Sequence, residues 1–169
     1  MTLIVETGTG DAAAESYASV ADTDAFLYAR GLTLWAEVTT SDKEAALRRG
    51  TDYMVQTYRN RWAGTRVTTT QALDWPRDNV PQDDGSEAQY LDNASVPAPV
   101  KTACMLLAFK AAAGDLAPDV EPQQVQSETV GPISTTYFSG AAREIRYPSI
   151  DRLLSALMGG RTGLVLDRA

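Results

Sequence analysis

The chain has 169 residues, 44% of them hydrophobic, enough for one domain with its own core. No apolar run approaches the ~20 residues that cross a bilayer, and the opening Met1-Thr2-Leu3-Ile4-Val5-Glu6 lacks the basic and long apolar regions of a secretory signal. A soluble protein with no membrane partner is therefore expected, and one cysteine, Cys104, cannot form an internal disulfide. The net charge of -7 and pI near 4.5 repel nucleic acid over the surface as a whole. Charge is nonetheless uneven, at -5 over Met1 to Ser41, +3 over Asp42 to Arg77 and -5 over the remainder, so only the central third offers a basic face.

Gly8-Thr9-Gly10-Asp11 reads as a flexible turn. Ser19 has the chemistry of an N-cap, with Asp22 completing a variant of the capping box and Gly31 placed as a C-terminal cap. The spacing predicts a first helix over Val20 to Arg30, with Ala21, Ala25, Tyr28 and Ala29 sharing a face whose small residues permit close approach of a neighbour. Leu32, Leu34 and Trp35 follow as an apolar connector. Ser41 and Glu44 form a second capping box, opening a helix to about Arg59 whose stripe is Ala46, Leu47, Gly50, Met54 and Tyr58. Arg48, Arg49 and Arg59 fall on its other faces. They read as a solvated face, and as the alternative their interleaving with Tyr53, Tyr58 and Trp62 fits a single-strand nucleic-acid surface.

The densest run of aromatics and arginines is Trp62-Ala63-Gly64-Thr65-Arg66 continuing to Gln71-Ala72-Leu73-Asp74-Trp75-Pro76-Arg77. Pro76 cannot donate a backbone hydrogen bond and biases Trp75 toward extended backbone. Trp62, Trp75, Pro76 and Arg77 are expected to form an interhelical lock, with a ligand site as the weaker reading. Asn79 to Pro99 is rich in Asp, Gln, Ser, Pro and Asn and reads as a surface loop. A third helix follows to Ala113 with Gly114 beyond it, its stripe being Val100, Cys104, Leu107 and Ala111. After a proline-containing linker, Val125, Ser127 and Thr129 alternate with polar residues, and Ile133 to Phe138 is rich in strand formers. Pro148 to Met158 is a short amphipathic helix with Ile150, Leu153, Leu154 and Leu157 on one side, and Arg161 to Ala169 is an extended tail. The fold class expected is mainly α: a small helical bundle over 1–120, a β arm or hairpin over 121–147, and a C-terminal helix and tail over 148–169.

The chain has no histidine, and its lone cysteine leaves no thiol-histidine pair, no serine-histidine triad and no cysteine-rich zinc site. Neither glycine-rich phosphate cradle occurs, and the acidic pair Asp83-Asp84 lies in a proline-containing loop. No catalytic, cofactor or metal residues are assigned, and an enzyme is not expected.

Several strings carry a family resemblance. Ser16-Tyr17-Ala18-Ser19 with Ala21-Asp22, Ala29-Arg30-Gly31 with Trp35, Ala45-Ala46-Leu47 leading to Thr51-Asp52-Tyr53, and Gln71 to Arg77 resemble tailed-phage proteins labelled DnaT-like single-strand-binding proteins. Ser127-Glu128-Thr129-Val130-Gly131-Pro132-Ile133-Ser134, followed by Tyr137 and a Leu-Leu helix, is similar to head-to-tail connector proteins of long-tailed phages, with Pro132 a departure from that pattern. The resemblance implies a virion structural protein, present in the host cytoplasm during assembly. It would be an adaptor forming a ring of twelve copies between the portal and the tail-completion or tail-tube proteins, with duplex DNA passing through. Ser127, Glu128, Gly131, Tyr137, Leu153, Leu154, Leu164, Leu166 and Arg168 would then make subunit or portal contacts, packing of the C-terminal segment on its own body being the alternative. The other functions held open are single-stranded-DNA binding and a tail-completion ring.

Overall fold

The computed structural model describes residues 2–82, 89–118, 127–130, 133–136 and 145–159. They hold four α-helices: α1 (Val20–Tyr28), α2 (Thr40–Tyr58), α3 (Ala98–Ala113) and α4 (Pro148–Leu154). Three short antiparallel strand pairs accompany them: β1 (Thr65–Arg66) with β2 (Arg77–Asp78), β3 (Pro81–Gln82) with β4 (Gln89–Tyr90), and β5 (Ser127–Val130) with β6 (Ile133–Thr136). The result is a mixed small domain dominated by helix. No helix among the described residues is long and apolar enough to cross a membrane.

Two compact units emerge, Met1–Leu116 with Tyr147–Ala169, and Ala117–Arg146. In the second, β5 and β6 run antiparallel, with Ser127 opposite Thr136 and Val130 opposite Ile133. The strands expected to begin at Val125 and to end at Phe138 extend beyond the described residues.

In the first unit, α2 and α3 form the central pair. Ala46, Leu47, Gly50, Met54 and Tyr58 of α2 are buried, as are Val100, Cys104, Leu107 and Ala111 of α3, so both expected stripes face the core. Gly50 lets the helices meet closely: a Cβ there would lie 3.0 Å from the Ala108 amide nitrogen and 3.3 Å from the Cys104 carbonyl oxygen. Pro99 lies in the first turn of α3, where a missing N–H leaves no helix bond unmade.

Capping decides where the first two helices begin. The Ser19 hydroxyl oxygen accepts from the Asp22 amide at 3.0 Å and opens α1 at Val20. For α2 the cap is Thr39, whose oxygen accepts from the Asp42 amide at 3.2 Å, rather than the expected Ser41. Both sites have a hydroxyl residue followed three positions later by an acid, and the structure takes the earlier one, adding Thr40 and Ser41 to the helix. Helix α1 also presents a different face from the one expected. Thr23 and Leu27 are buried, whereas Ala21, Ala25, Tyr28 and Ala29 are exposed. Thr23 donates its hydroxyl to the Ser19 carbonyl at 2.7 Å, satisfying its polar group as it turns inward. After α1, a 3-10 turn at Thr33–Glu37 sinks Trp35 into the core.

The Gly8-Thr9-Gly10 turn wraps the buried carboxylate of Glu6. The amides of Gly8, Thr9 and Gly10 donate to one carboxylate oxygen at 2.7, 2.8 and 3.1 Å, and Asp11 donates to the other at 2.8 Å. This is an anion nest filled by the chain's own side chain. The Asn79 to Pro99 segment is likewise less of a free loop than its composition predicts. Val80 and Val96 are buried, and β3 pairs with β4 within it.

Two substitutions test this frame. Gly50→Val should force α2 and α3 apart and cost about 1 to 3 kcal/mol by overpacking, read as a lowered thermal midpoint with helical signal retained. Glu6→Ala should leave several nest amides without their acceptor and cost at least ~1 to 3 kcal/mol by the same measurement.

Candidate nucleic-acid interface

The Gln71 to Arg77 string, the strongest sequence signal, is spent on its own backbone. Gln71 donates from its side-chain amide to the carbonyls of Leu73 and Pro76 at 3.0 and 3.1 Å, and accepts from the Thr68 amide at 2.9 Å. Buried Tyr17, from the N-terminal segment, accepts on its hydroxyl from the amides of Asp74 and Trp75 at 2.9 and 3.3 Å. Burial, with the Asp74 carboxylate nearby, raises the Tyr17 hydroxyl well above the ordinary phenol range, so it stays neutral. Arg77 donates to the carbonyls of Ala63, Gly64 and Asp74 at 2.7, 2.7 and 3.2 Å, and Arg59 pairs with buried Asp74 at 2.8 Å. Trp75 is fully buried and Pro76 is buried beside it. The structure thus gathers Trp62, Trp75, Pro76 and Arg77 into one internal cluster.

A chain of rings leads outward from that cluster. Trp75 meets Trp62 edge to face at 5.6 Å between centroids, Trp62 meets Tyr58 at 5.8 Å, Tyr58 meets Tyr53 at 6.5 Å, and Tyr53 meets Tyr147 at 5.5 Å. Neither indole N–H has a hydrogen-bond acceptor among the described residues, so the contact between the two rings is one of packing. Burial raises the Tyr58 hydroxyl, with its donated hydrogen bond to Asp151 at 2.9 Å as a further cause.

Only the outer end of this chain reaches the surface. Tyr58 and Trp62 are buried and offer no face for stacking, whereas Tyr53 and Tyr147 are half-buried. The Lys110 ammonium lies 5.1 Å from the Tyr147 ring centroid, and the Arg61 guanidinium 5.3 Å from that of Tyr58. Lys110, Arg61 and Arg49 are exposed, Arg61 at 3.9 Å from the Asp151 carboxylate, and Arg49 stands one helical turn before Tyr53 on α2. Arg48, expected with this set, is instead committed to Glu15 at 2.9 Å and Glu44 at 3.8 Å, and the Glu15 carboxyl is lowered chiefly by its hydrogen bond from Arg48. Tyr147 and Lys110 are members that sequence spacing does not reveal. One precedes α4, the other lies in the last turn of α3, and only tertiary packing joins them to Tyr53.

The remaining predicted contact residues fare differently. Ser127 and Glu128 lie in β5, while Gly131, Tyr137, Leu164, Leu166 and Arg168 fall outside the described residues. Leu154 is fully buried and Leu153 is partly buried against the same core, with Ile150 and Leu157 also inside. The C-terminal helix therefore spends its apolar stripe on this chain. Ala63 donates to the Leu157 carbonyl at 3.0 Å and Gly159 to that of Arg61 at 2.8 Å, fastening the segment beside Trp62. Among the described residues no group of three His, Cys, Asp or Glu could hold a metal ion.

A small helix-centred domain with an aromatic and cationic face is the class of protein defined by these features. A family model described as "Putative DnaT-like ssDNA binding protein" matches residues 1–169, and the chain belongs to that family. Neither the curated proteins nor the solved structures give a match. The match corrects the expectation of a virion head-to-tail adaptor: the family model that spans the whole chain carries a single-strand-DNA-binding description and not that of a portal connector.

Tyr17→Phe isolates the anchor of the Trp75 segment. It keeps the ring but removes the acceptor for two buried amides, and should destabilise by about 1 to 3 kcal/mol in denaturant unfolding.

Proposed function

We propose that this protein binds single-stranded DNA, with the strand lying across Tyr53 and Tyr147 and its phosphates drawn to Lys110, Arg61 and Arg49. Membership of the single-strand-binding family supports the reading. The observation that carries the choice of face is the pair of half-buried rings, 5.5 Å apart, with a lysine ammonium 5.1 Å from one of them.

Each base has an apolar face that gains by covering an aromatic ring, and this gain is indifferent to sequence. A ring anchored at one edge loses little freedom when a base covers its remaining surface. Duplex DNA keeps those base faces stacked inside, so the same surface discriminates in favour of the single strand. The net charge of -7 opposes approach at long range and limits the contribution of phosphate contacts. Three cations acting on a single strand correspond to a slope of roughly -2 in log affinity against log salt.

A titration of the full chain with a labelled oligothymidine at several salt concentrations tests this. Tyr53→Ala and Tyr147→Ala should each weaken binding by roughly 5- to 150-fold, the equivalent of one lost stacked base. Lys110→Gln should flatten the salt slope by about 0.7. Binding that is unchanged in both tyrosine variants would overturn the assignment of the face, and an absence of binding at low salt would overturn the function.

A further inference from the structure

Two guanidiniums away from the ring pair are held on neighbouring carbonyls of the bend that buries Trp75. Arg66 donates from Nη1 to the Gln71 carbonyl at 3.2 Å, and Arg59 donates from Nη2 to the Ala72 carbonyl at 3.5 Å. Arg59 is fixed a second time, from Nε to the Asp74 carboxylate at 2.8 Å. Both arginines are exposed. A guanidinium carries five N–H groups, so these bonds leave most of each fork available.

Charge around the two is not balanced. Asp74, its side chain only 2% exposed, pairs with Arg59 from inside, whereas Arg66 has no carboxylate partner among the described residues. In the β1 and β2 register Arg66 stands opposite Arg77, a third guanidinium, which is buried on three backbone carbonyls. Burial is the chief cause that lowers the basicity of Arg77, and the Arg66 charge lowers it further. Asp78 stands opposite Thr65, on the other side of the ribbon by strand alternation, and accepts from the Asn93 side chain. Asp11, whose carbonyl accepts from the Ala72 amide, has its carboxylate on the Ala13 amide. From Val67 to Thr70 the chain adds no acid.

We infer that Arg59 and Arg66 clamp one phosphodiester of the bound strand, beyond the bases stacked on Tyr53 and Tyr147, an inference that rests on the single-strand reading. A planar fork matches two phosphate oxygens at once, and a fork already held from behind loses little freedom when it closes on them. A phosphate at this point also offsets the repulsion between Arg66 and Arg77, which one buried carboxylate leaves in place. The route from the rings is continuous along α2. Gln56 lies three residues after Tyr53 and three before Arg59, so the three side chains are successive neighbours on the helix surface, and Gln56 is exposed and uncharged. Tyr53 and Arg59 stand roughly 9 Å apart along the axis. A strand leaving the rings therefore crosses a neutral amide before its backbone meets the two arginines.

Titration of the full chain with a labelled oligothymidine of about twelve nucleotides, at several salt concentrations, tests the clamp. Arg66→Gln should weaken binding and flatten the salt slope by about 0.7, the share of one phosphate on a single strand. Arg66→Lys should keep the slope and still lose affinity, because an ammonium cannot make the two parallel bonds of the fork. Arg30→Gln, which removes the same charge from α1, should do neither. The effect of Arg66→Gln should persist in a Tyr53→Ala background, where the ring contact is already weakened. Oligothymidine binding that Arg66→Gln leaves unaltered would overturn the clamp and leave the ring face standing, whereas an absence of binding by the unsubstituted chain at low salt would overturn both. An equal flattening in Arg30→Gln would reduce Arg66 to its share of the net charge and overturn the clamp. Inorganic phosphate, or a glutamate peptide, that binds with the same dependence on Arg66 while the oligothymidine does not would give the arginines to a free anion or to an acidic protein, and either result would overturn the strand contact.

Discussion

Burial of Trp75 fixes the position of most other parts of the first unit. A large apolar ring inside the protein carries its backbone amide in with it, and that amide needs an acceptor. Tyr17 supplies it, and in doing so binds the N-terminal segment to a loop more than fifty residues away in sequence. Arg77 closes the other side by donating to three carbonyls, two of them beside Trp62. Burial depresses the basicity of the Arg77 guanidinium. The polar atoms in this cluster serve to keep a bent stretch of backbone satisfied, and the reason for bending it is to bring one tryptophan against another.

From there the arrangement passes through rings. Trp62 hands the contact to Tyr58, Tyr58 to Tyr53, and Tyr53 to Tyr147, so a single aromatic path runs from the buried core to a surface where two rings are half exposed. A ring seated in such a path has few alternative rotamers, because each neighbour is itself packed. The surface pair is therefore held in place by the rings behind it. Beside α1 an apolar groove opens instead, and the one acid and one cation of its wall, Asp24 and Lys43, pair with each other.

Much of this was legible in the sequence where local rules act alone. The stripes of α2 and α3 follow from helical spacing, and both helices bury the residues so identified. Ser19 caps α1 as its side-chain chemistry predicts. Legibility fails where two local solutions compete. Thr39 and Ser41 each head a capping box, and the choice between them adds two residues to the helix. Alanine is compatible with either face of α1, so Ala21, Ala25 and Ala29 said nothing about which side turns inward, while Thr23 could be buried because the Ser19 carbonyl accepts its hydroxyl proton. Leu154 had an apolar stripe that required a partner, and spacing alone could not say that the partner was this chain. The Tyr53 and Tyr147 pair had no sequence signature, since the residues sit on elements joined only by folding. Net charge is a far-field property of the whole surface and does not decide what a few local residues contact, and the family match overturns the adaptor reading that it favoured.

The central claim is that the buried tryptophans build a scaffold and the outer tyrosines touch the strand. Photo-crosslinking of the full chain to an oligonucleotide carrying 5-bromodeoxyuridine, with the attached peptides identified by mass spectrometry, tests it most directly. The account predicts adducts at Tyr53 and Tyr147 and none at Trp62 or Trp75, which are closed to solvent. Adducts concentrated at Tyr28 or Trp35, with Tyr53 and Tyr147 unmodified, would contradict it.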